Sequence, residues 1–111
     1  MKPITWCGDS LQRIRDFPAE ARSKAGHQLN RVQRGREPED WKPMSGVGAG
    51  VNEVRIHADG EYRVLYVAKF AEAVYVLHAF QKKTRKTSKQ DLDLASTRYK
   101  AVVAEHRRQE R

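Results

Sequence analysis

Lys82, Lys83, Arg85, Lys86 and Lys89 place five cations within eight residues, directly after the apolar run Val74-Tyr75-Val76-Leu77. A segment anchored in a sheet at one end holds its charge in place. Fixed cations bind phosphates with less loss of entropy than a mobile tail would suffer. Arg55 and Arg63 lie in two earlier segments of alternating polarity that also read as strands. Guanidinium forks match phosphate oxygens bidentately, so this set points to an RNA-handling site. RNA carries its own nucleophile, the 2′-OH. Cleaving it requires a base for the 2′ proton, an acid for the 5′ oxygen and cations for the crowded phosphorane, with no metal. Arg55, Arg63, Lys82 and Lys83 can supply the cations. His78 is the acid/base candidate because an unperturbed imidazole titrates near neutrality. The alternative for His78 is a hydrogen-bonded wall residue beside Phe80. Phe80 itself either stacks on a base or fills the sheet edge.

No Asp/Glu/His cluster has metal-ligand spacing, and no Ser-His-Asp or Cys-His set can be brought together by the strand pattern, so neither metal nor cofactor is expected. Cys7 is the single cysteine, which excludes an intrachain disulfide and a cysteine-based zinc site. Gly46-Val47-Gly48-Ala49-Gly50 lacks the Gly-Lys-Ser/Thr ending of a phosphate loop and precedes a strand rather than a helix, so it reads as a turn.

The framework around these residues follows from periodicity. Ile4 to Cys7 is a short first strand. Asp9 or Ser10 caps a helix with Leu11, Ile14 and Phe17 on one side, and Pro18 opens a second helix whose buried stripe is Ala21, Ala25, Leu29 and Val32. Gly35 ends it, and the two helices form an antiparallel hairpin. Residues 37–50 read as a loop pinned by Trp41 and Met44. Val51–His57 and Glu61–Ala68 then flank the three-residue loop Ala58-Asp59-Gly60, which sets Arg55 opposite Arg63. Like charges directly opposite cost several tenths of a kcal/mol. Either an anion relieves that repulsion or Glu53 or Glu61 neutralises the pair. A last strand, Val74–Phe80, sets Arg63 against Phe80 and Leu65 against His78. Strict alternation puts Tyr75, Leu77 and Ala79 in the core with Val54, Ile56, Tyr62, Val64 and Tyr66. It leaves Val76, His78, Phe80 and Lys82 on the arginine face. His57, at the hairpin rim, reads as solvated. Ser88 caps a final helix with Asp91 three residues on and the buried stripe Leu92, Ala95, Tyr99 and Val102. The expected fold is one α+β domain over residues 1–111: a short N-terminal strand, a two-helix hairpin, a three-stranded antiparallel sheet and a C-terminal helix, with helices on one sheet face.

The 111 residues carry a formal charge of +8, which favours a polyanionic partner. No signal peptide and no bilayer-length apolar run is apparent, so a cytoplasmic location and no membrane partner are expected.

Taken together, Gly48 to Ile56, Tyr62 to Tyr66, Val74 to Thr84, Asp91 to Ala95 and Arg98-Tyr99 resemble the phage-related HigB-like branch of the RelE/ParE toxin superfamily. Trp6 to Leu11, Phe17-Pro18 and Gln33-Arg34-Gly35 extend the similarity over nearly the whole chain. The resemblance implies a RelE-like fold and the toxin of a type II toxin–antitoxin pair. Such a toxin binds the ribosomal A site and cuts mRNA without a metal, as a ribosome-dependent endoribonuclease (mRNA interferase) that inhibits translation. Its partner would be a helix-turn-helix, HigA-like antitoxin, with operator DNA met only through their complex. By position Arg55 and Arg63 match the family's basic strand residues, and Lys82 and Lys83 match the motif that closes the last strand. Arg85, Lys86, Lys89 and Phe80 would line the nucleic-acid path. Some RelE-type enzymes use a tyrosine or histidine near the C-terminus for proton transfer. No aromatic lies between Lys82 and Arg98, so that role is unfilled or falls to His78 or a lysine. The competing functions are a ParE-like gyrase inhibitor and a non-catalytic nucleic-acid-binding phage accessory protein.

Overall fold

The computed structural model describes residues 1–110. Five strands form one sheet in the order β1-β5-β4-β3-β2. They are β1 (Ile4–Trp6), β2 (Trp41–Pro43), β3 (Val51–His57), β4 (Glu61–Val67) and β5 (Val74–Lys82), with helices α1 (Ser10–Arg15), α2 (Ala19–Gln33) and α3 (Lys89–Gln109). The α+β class is as expected; the strand count is higher. Trp41–Pro43, read from sequence as loop, pairs antiparallel with β3. Its three residues are too short to show alternation, and Pro43 is tolerated because β2 is an edge strand. At the opposite edge β1 runs parallel to β5.

The β3–β4 hairpin forms as expected. Asp59 takes φ 50° and Gly60 φ 141°, and this loop sets Arg55 opposite Arg63 and Val54 opposite Val64. The β4–β5 register also matches at Arg63/Phe80 and Leu65/His78, but the next pair is Tyr66/Val76. Leu77 is the extra residue of a β-bulge. Beyond it the alternation inverts. Val74 and Val76 pack towards α1 and α2 with Val54, Ile56, Val64 and Ala79, whereas Leu77 and Tyr75 join Val51, Leu65, Ala95 and Val102. The expectation that Tyr75 and Leu77 share a core with Ala79, and that Val76 lies on the arginine face, is corrected by that one residue.

Helices therefore cover both faces of the sheet, not one. The stripe Ala21, Ala25, Leu29 and Val32 is buried against the first face. The stripe Leu92, Ala95, Tyr99 and Val102 packs on the second. Each fully buried Leu or Val contributes about 1.5–3 kcal/mol. That is the reason both faces are closed where they are apolar. Tyr99 is a packing residue, as expected. Its hydroxyl donates to the Ala49 carbonyl at 2.8 Å, and its ring lies where a Cβ on Gly48 would come within 2.4 Å. The glycine-rich turn is thus a seat for α3. Among the described residues, no helix is long and apolar enough to cross a membrane.

Candidate active site

The face covered by α3 changes character along the strands. Near α3 it presents Val51, Leu65, Val67 and Leu77. Further along, the ladder reads Arg55–Arg63–Phe80, and the last row reads His57–Glu61–Lys82. Three strands therefore bring Arg55, Arg63 and Lys82 together at one end of the sheet. Glu53 sits between the two arginines. Its side chain is 1% exposed, and its Oε1 lies 3.6 Å from Arg55 Nε and 3.7 Å from Arg63 Nε. Neither carboxylate oxygen, and neither of those Nε groups, has a hydrogen-bond partner. Arg63 turns Nη1 away to donate to Glu61 Oε1 at 3.2 Å and to the Tyr62 carbonyl at 3.0 Å. Neutralisation by Glu53 and Glu61, one of the two options open from sequence, is the arrangement found. It is incomplete, because two guanidiniums face one buried carboxylate at ion-pair distance only. Such a loosely satisfied, buried polar group is costly for stability.

His57 is not simply solvated. Its Nε2 lies 2.7 Å from Asp40 Oδ2 and its Nδ1 2.7 Å from Glu61 Oε2. The Asp40 hydrogen bond, and then that of Glu61, raise its pKa, while the same contact with His57 holds Glu61 below the usual carboxylate range. Glu61 thus bridges His57 and Arg63 and stands opposite Lys82.

His78 is different. It is fully buried, with Nε2 2.7 Å from Asp91 Oδ1 and Nδ1 3.3 Å from Arg98 Nη1. Burial lowers its pKa against the opposing pull of Asp91. An imidazole with no exposed atom and both nitrogens engaged cannot reach a ribose, so the acid/base role considered for His78 is replaced by that of a wall. Arg98 extends the chain of contacts, donating to the Leu77 carbonyl at 2.9 Å and to Asp9 at 2.7 Å. Asp9, bonded by Arg13 and Arg98, is held down at about 2. Phe80, 5% exposed, stacks on His78 at 5.4 Å. It fills the sheet edge, and the option of a base-stacking platform is closed in this conformation.

Beyond β5 the basic segment curls over the start of α3. Ser88 accepts from the Asp91 N–H at 3.1 Å, the expected cap. Lys82, Lys83, Lys86, Thr87 and Asp91 line a cavity of about 220 Å³ there, with Phe80 as its floor. Arg85 and Lys89 are exposed on its flank. Sequence reasoning identifies Asp91 only as a cap and misses its bond to His78. It misses the Asp40–His57–Glu61 bridge altogether, because Asp40 lies on a segment that reads as loop. The alternation of β3 and β4 does place His57 and Glu61 side by side. No group of three or more potential ligands that could hold a metal occurs among the described residues.

The sequence family of phage-derived Gp49-like proteins (DUF891) matches residues 12–100, which include every residue of the charged face. The chain belongs to that family. The Gp49-like proteins are a RelE/HigB-like toxin family, and membership is consistent with a toxin that has an antitoxin partner. Among curated proteins, none matches the chain. The Gp49-like match spans α2, β2 to β5 and the first half of α3, the elements that build the charged face; β1 lies outside it.

Proposed function

We propose that this Gp49-like protein is the toxin of a type II toxin–antitoxin pair and acts as a ribosome-dependent, metal-independent mRNA endonuclease. The observation that carries the reading is the convergence of Arg55, Arg63 and Lys82 on one end of the sheet, around carboxylates too few to neutralise them. A scissile phosphate seated there meets the one-third-exposed guanidinium of Arg55 and the ammonium of Lys82, with Lys83 on the adjoining turn; it reaches Arg63, whose side chain is 7% exposed, only by taking the place of that arginine's carboxylate partner. Half-exposed Glu61 is the group it displaces. Cations held in place before the reaction stabilise the phosphorane without reorganisation, an effect usually worth about 10²–10³ in rate per group. Arg85, Lys86 and Lys89 hold the flanking phosphates. The charge of +8 suits a decoding site walled with RNA. A HigA-like helix-turn-helix antitoxin would neutralise the toxin, and operator DNA would be met through their complex.

The test is expression of the chain in bacteria with mapping of message 5′ ends. A nuclease should give growth arrest with new ends inside translated reading frames, and growth should be restored by Arg63→Ala. Arrest with DNA damage and intact messages would select a gyrase inhibitor instead. Steeply salt-dependent RNA or DNA binding, without cleavage or toxicity, would select a nucleic-acid-binding accessory protein.

A further inference from the structure

Beside the arginine face, between α2 and the outer edge of β3, lies a cavity of about 350 Å³ whose walls include Lys24, His27, Glu39, Asp40, Arg55 and His57. Two of the chain's four histidines therefore open onto one cavity. Both are exposed, with side chains 65% and 56% accessible for His27 and His57. Each is paired with a carboxylate: His57 Nε2 with Asp40 at 2.7 Å, and His27 Nε2 with Glu39 at 3.5 Å. Arg55 joins the cavity to the phosphate site, because it lines the one and shares Glu53 with Arg63 in the other.

We propose that His27 and His57 are the proton-transfer pair of the RNA cleavage argued above, His27 as the base and His57 as the acid. The inference rests on that nuclease reading and supplies what it leaves unfilled. As the 2′ oxygen bonds to phosphorus, its proton passes to a ring nitrogen of His27. Displacement of Glu61 by the phosphate frees Nδ1 of His57, and as the P–O5′ bond breaks the leaving oxygen takes the proton that the imidazolium carries there. The products are a 2′,3′-cyclic phosphate and a 5′-OH, and proton exchange with water resets both imidazoles. No further reactant is required.

The division of roles follows from the surroundings. His57 touches two carboxylates, Asp40 before β2 and Glu61 on β4. Lys24 on α2 donates to the His57 carbonyl at 2.7 Å and pairs with Glu20, and Arg55 stands two residues away on the same strand face. The two carboxylates dominate and raise the pKa of His57, which favours its imidazolium form. His27 has only Glu39, at a longer distance. Two imidazoles on a cavity that shares Arg55 with the phosphate site can supply general acid–base catalysis, which typically contributes about 10²–10⁴-fold.

The test is single-turnover cleavage of a ribosome-bound message as a function of pH, for wild type, His27→Gln, His57→Gln, Asp40→Asn and Arg63→Ala, each checked for folding by circular dichroism. Wild type should show a bell-shaped profile. His57→Gln should lower the rate roughly 100-fold or more and abolish the alkaline fall, and His27→Gln should do the same to the acidic rise. Asp40→Asn should move the alkaline limb to lower pH, which a purely structural role would not do. If the two histidine variants fold and keep the wild-type rate and limbs while Arg63→Ala is dead, the histidine assignment is overturned and the nuclease reading stands. If wild type leaves ribosome-bound message uncut, both fall together.

Discussion

Two histidines on the same sheet face show how differently one residue type is treated at its two ends. At the α3 end, His78 is sealed beneath the helix, bonded through both nitrogens, and pushed towards the neutral form by burial. At the open end, His57 stands in solvent between two carboxylates that favour its charged form. The sealed end satisfies most of its polar groups: Asp91, Ser88, Arg98 and Asp9 form a connected series of hydrogen bonds, and Ser10 Oγ, next to Asp9, is left without a partner. The open end leaves Glu53 and the Nε groups of both arginines without any. Stability is concentrated where α3 covers the sheet, and unspent polarity is concentrated where it does not. A fold selected for stability alone would have closed both.

That contrast can be broken by three substitutions of decreasing effect. His78→Ala removes a fully buried ring that tethers Asp91 and supports Phe80, and it should cost about 2–4 kcal/mol in chemical denaturation. A loss below about 1 kcal/mol would mean that the wall role is misassigned. Glu53→Gln leaves Arg55 facing Arg63 across the ladder without its carboxylate, and Arg63 with Glu61 alone. Breaking a buried pair costs about 3–5 kcal/mol, and because Arg55 is one-third exposed we expect about 2 kcal/mol. An unchanged or raised melting temperature would show that the arginines do not need the carboxylate.

The smallest effect is the dependence of stability on pH, and here the two histidines have opposite signs. The folded pKa of His57 is raised, so its stabilisation is complete below the unfolded value of about 6.5 and is lost as pH rises through the folded value. The folded pKa of His78 is lowered, so its neutral form opposes protonation, and stability falls as pH drops below about 6.5 towards the folded value. His57→Gln should therefore lower stability at and below neutrality and flatten the decline above it, so that variant and wild type converge at high pH, while the fall caused by His78 at acid pH keeps its slope. Given the exposure of His57, the difference should be no more than about 1 kcal/mol. Urea titrations from about pH 5 to 9 would measure it, and identical curves for wild type and variant would contradict the assignment.

Much of this site is legible in the amino-acid sequence. The alternation of Val51–His57 and Glu61–Val67, joined by Ala58-Asp59-Gly60, fixes the Arg55/Arg63 pair, because the turn sets the register and the apolar residues set the face. The stripes of α2 and α3 are legible for the same reason, as is the Ser88 cap. The bulge at Leu77 is not: one additional residue leaves no mark in an apolar run, yet it reverses Val76 and Tyr75. The burial of His78 depends on α3 crossing the second face, a choice that an amphipathic stripe does not encode. The meeting of His27 and His57 depends on how α2 sits against β3, far away in sequence, and no local pattern records it.

Primer extension on a message held on purified ribosomes, with wild-type protein and with Arg63→Ala, probes the convergence of cations without intermediaries. Wild type should give discrete cleavage within the codon at the decoding site, and the variant, its fold preserved, a rate lower by about 10²–10³-fold. Cleavage by Arg63→Ala at the wild-type rate would contradict the claim that cations from neighbouring strands converge on one phosphodiester.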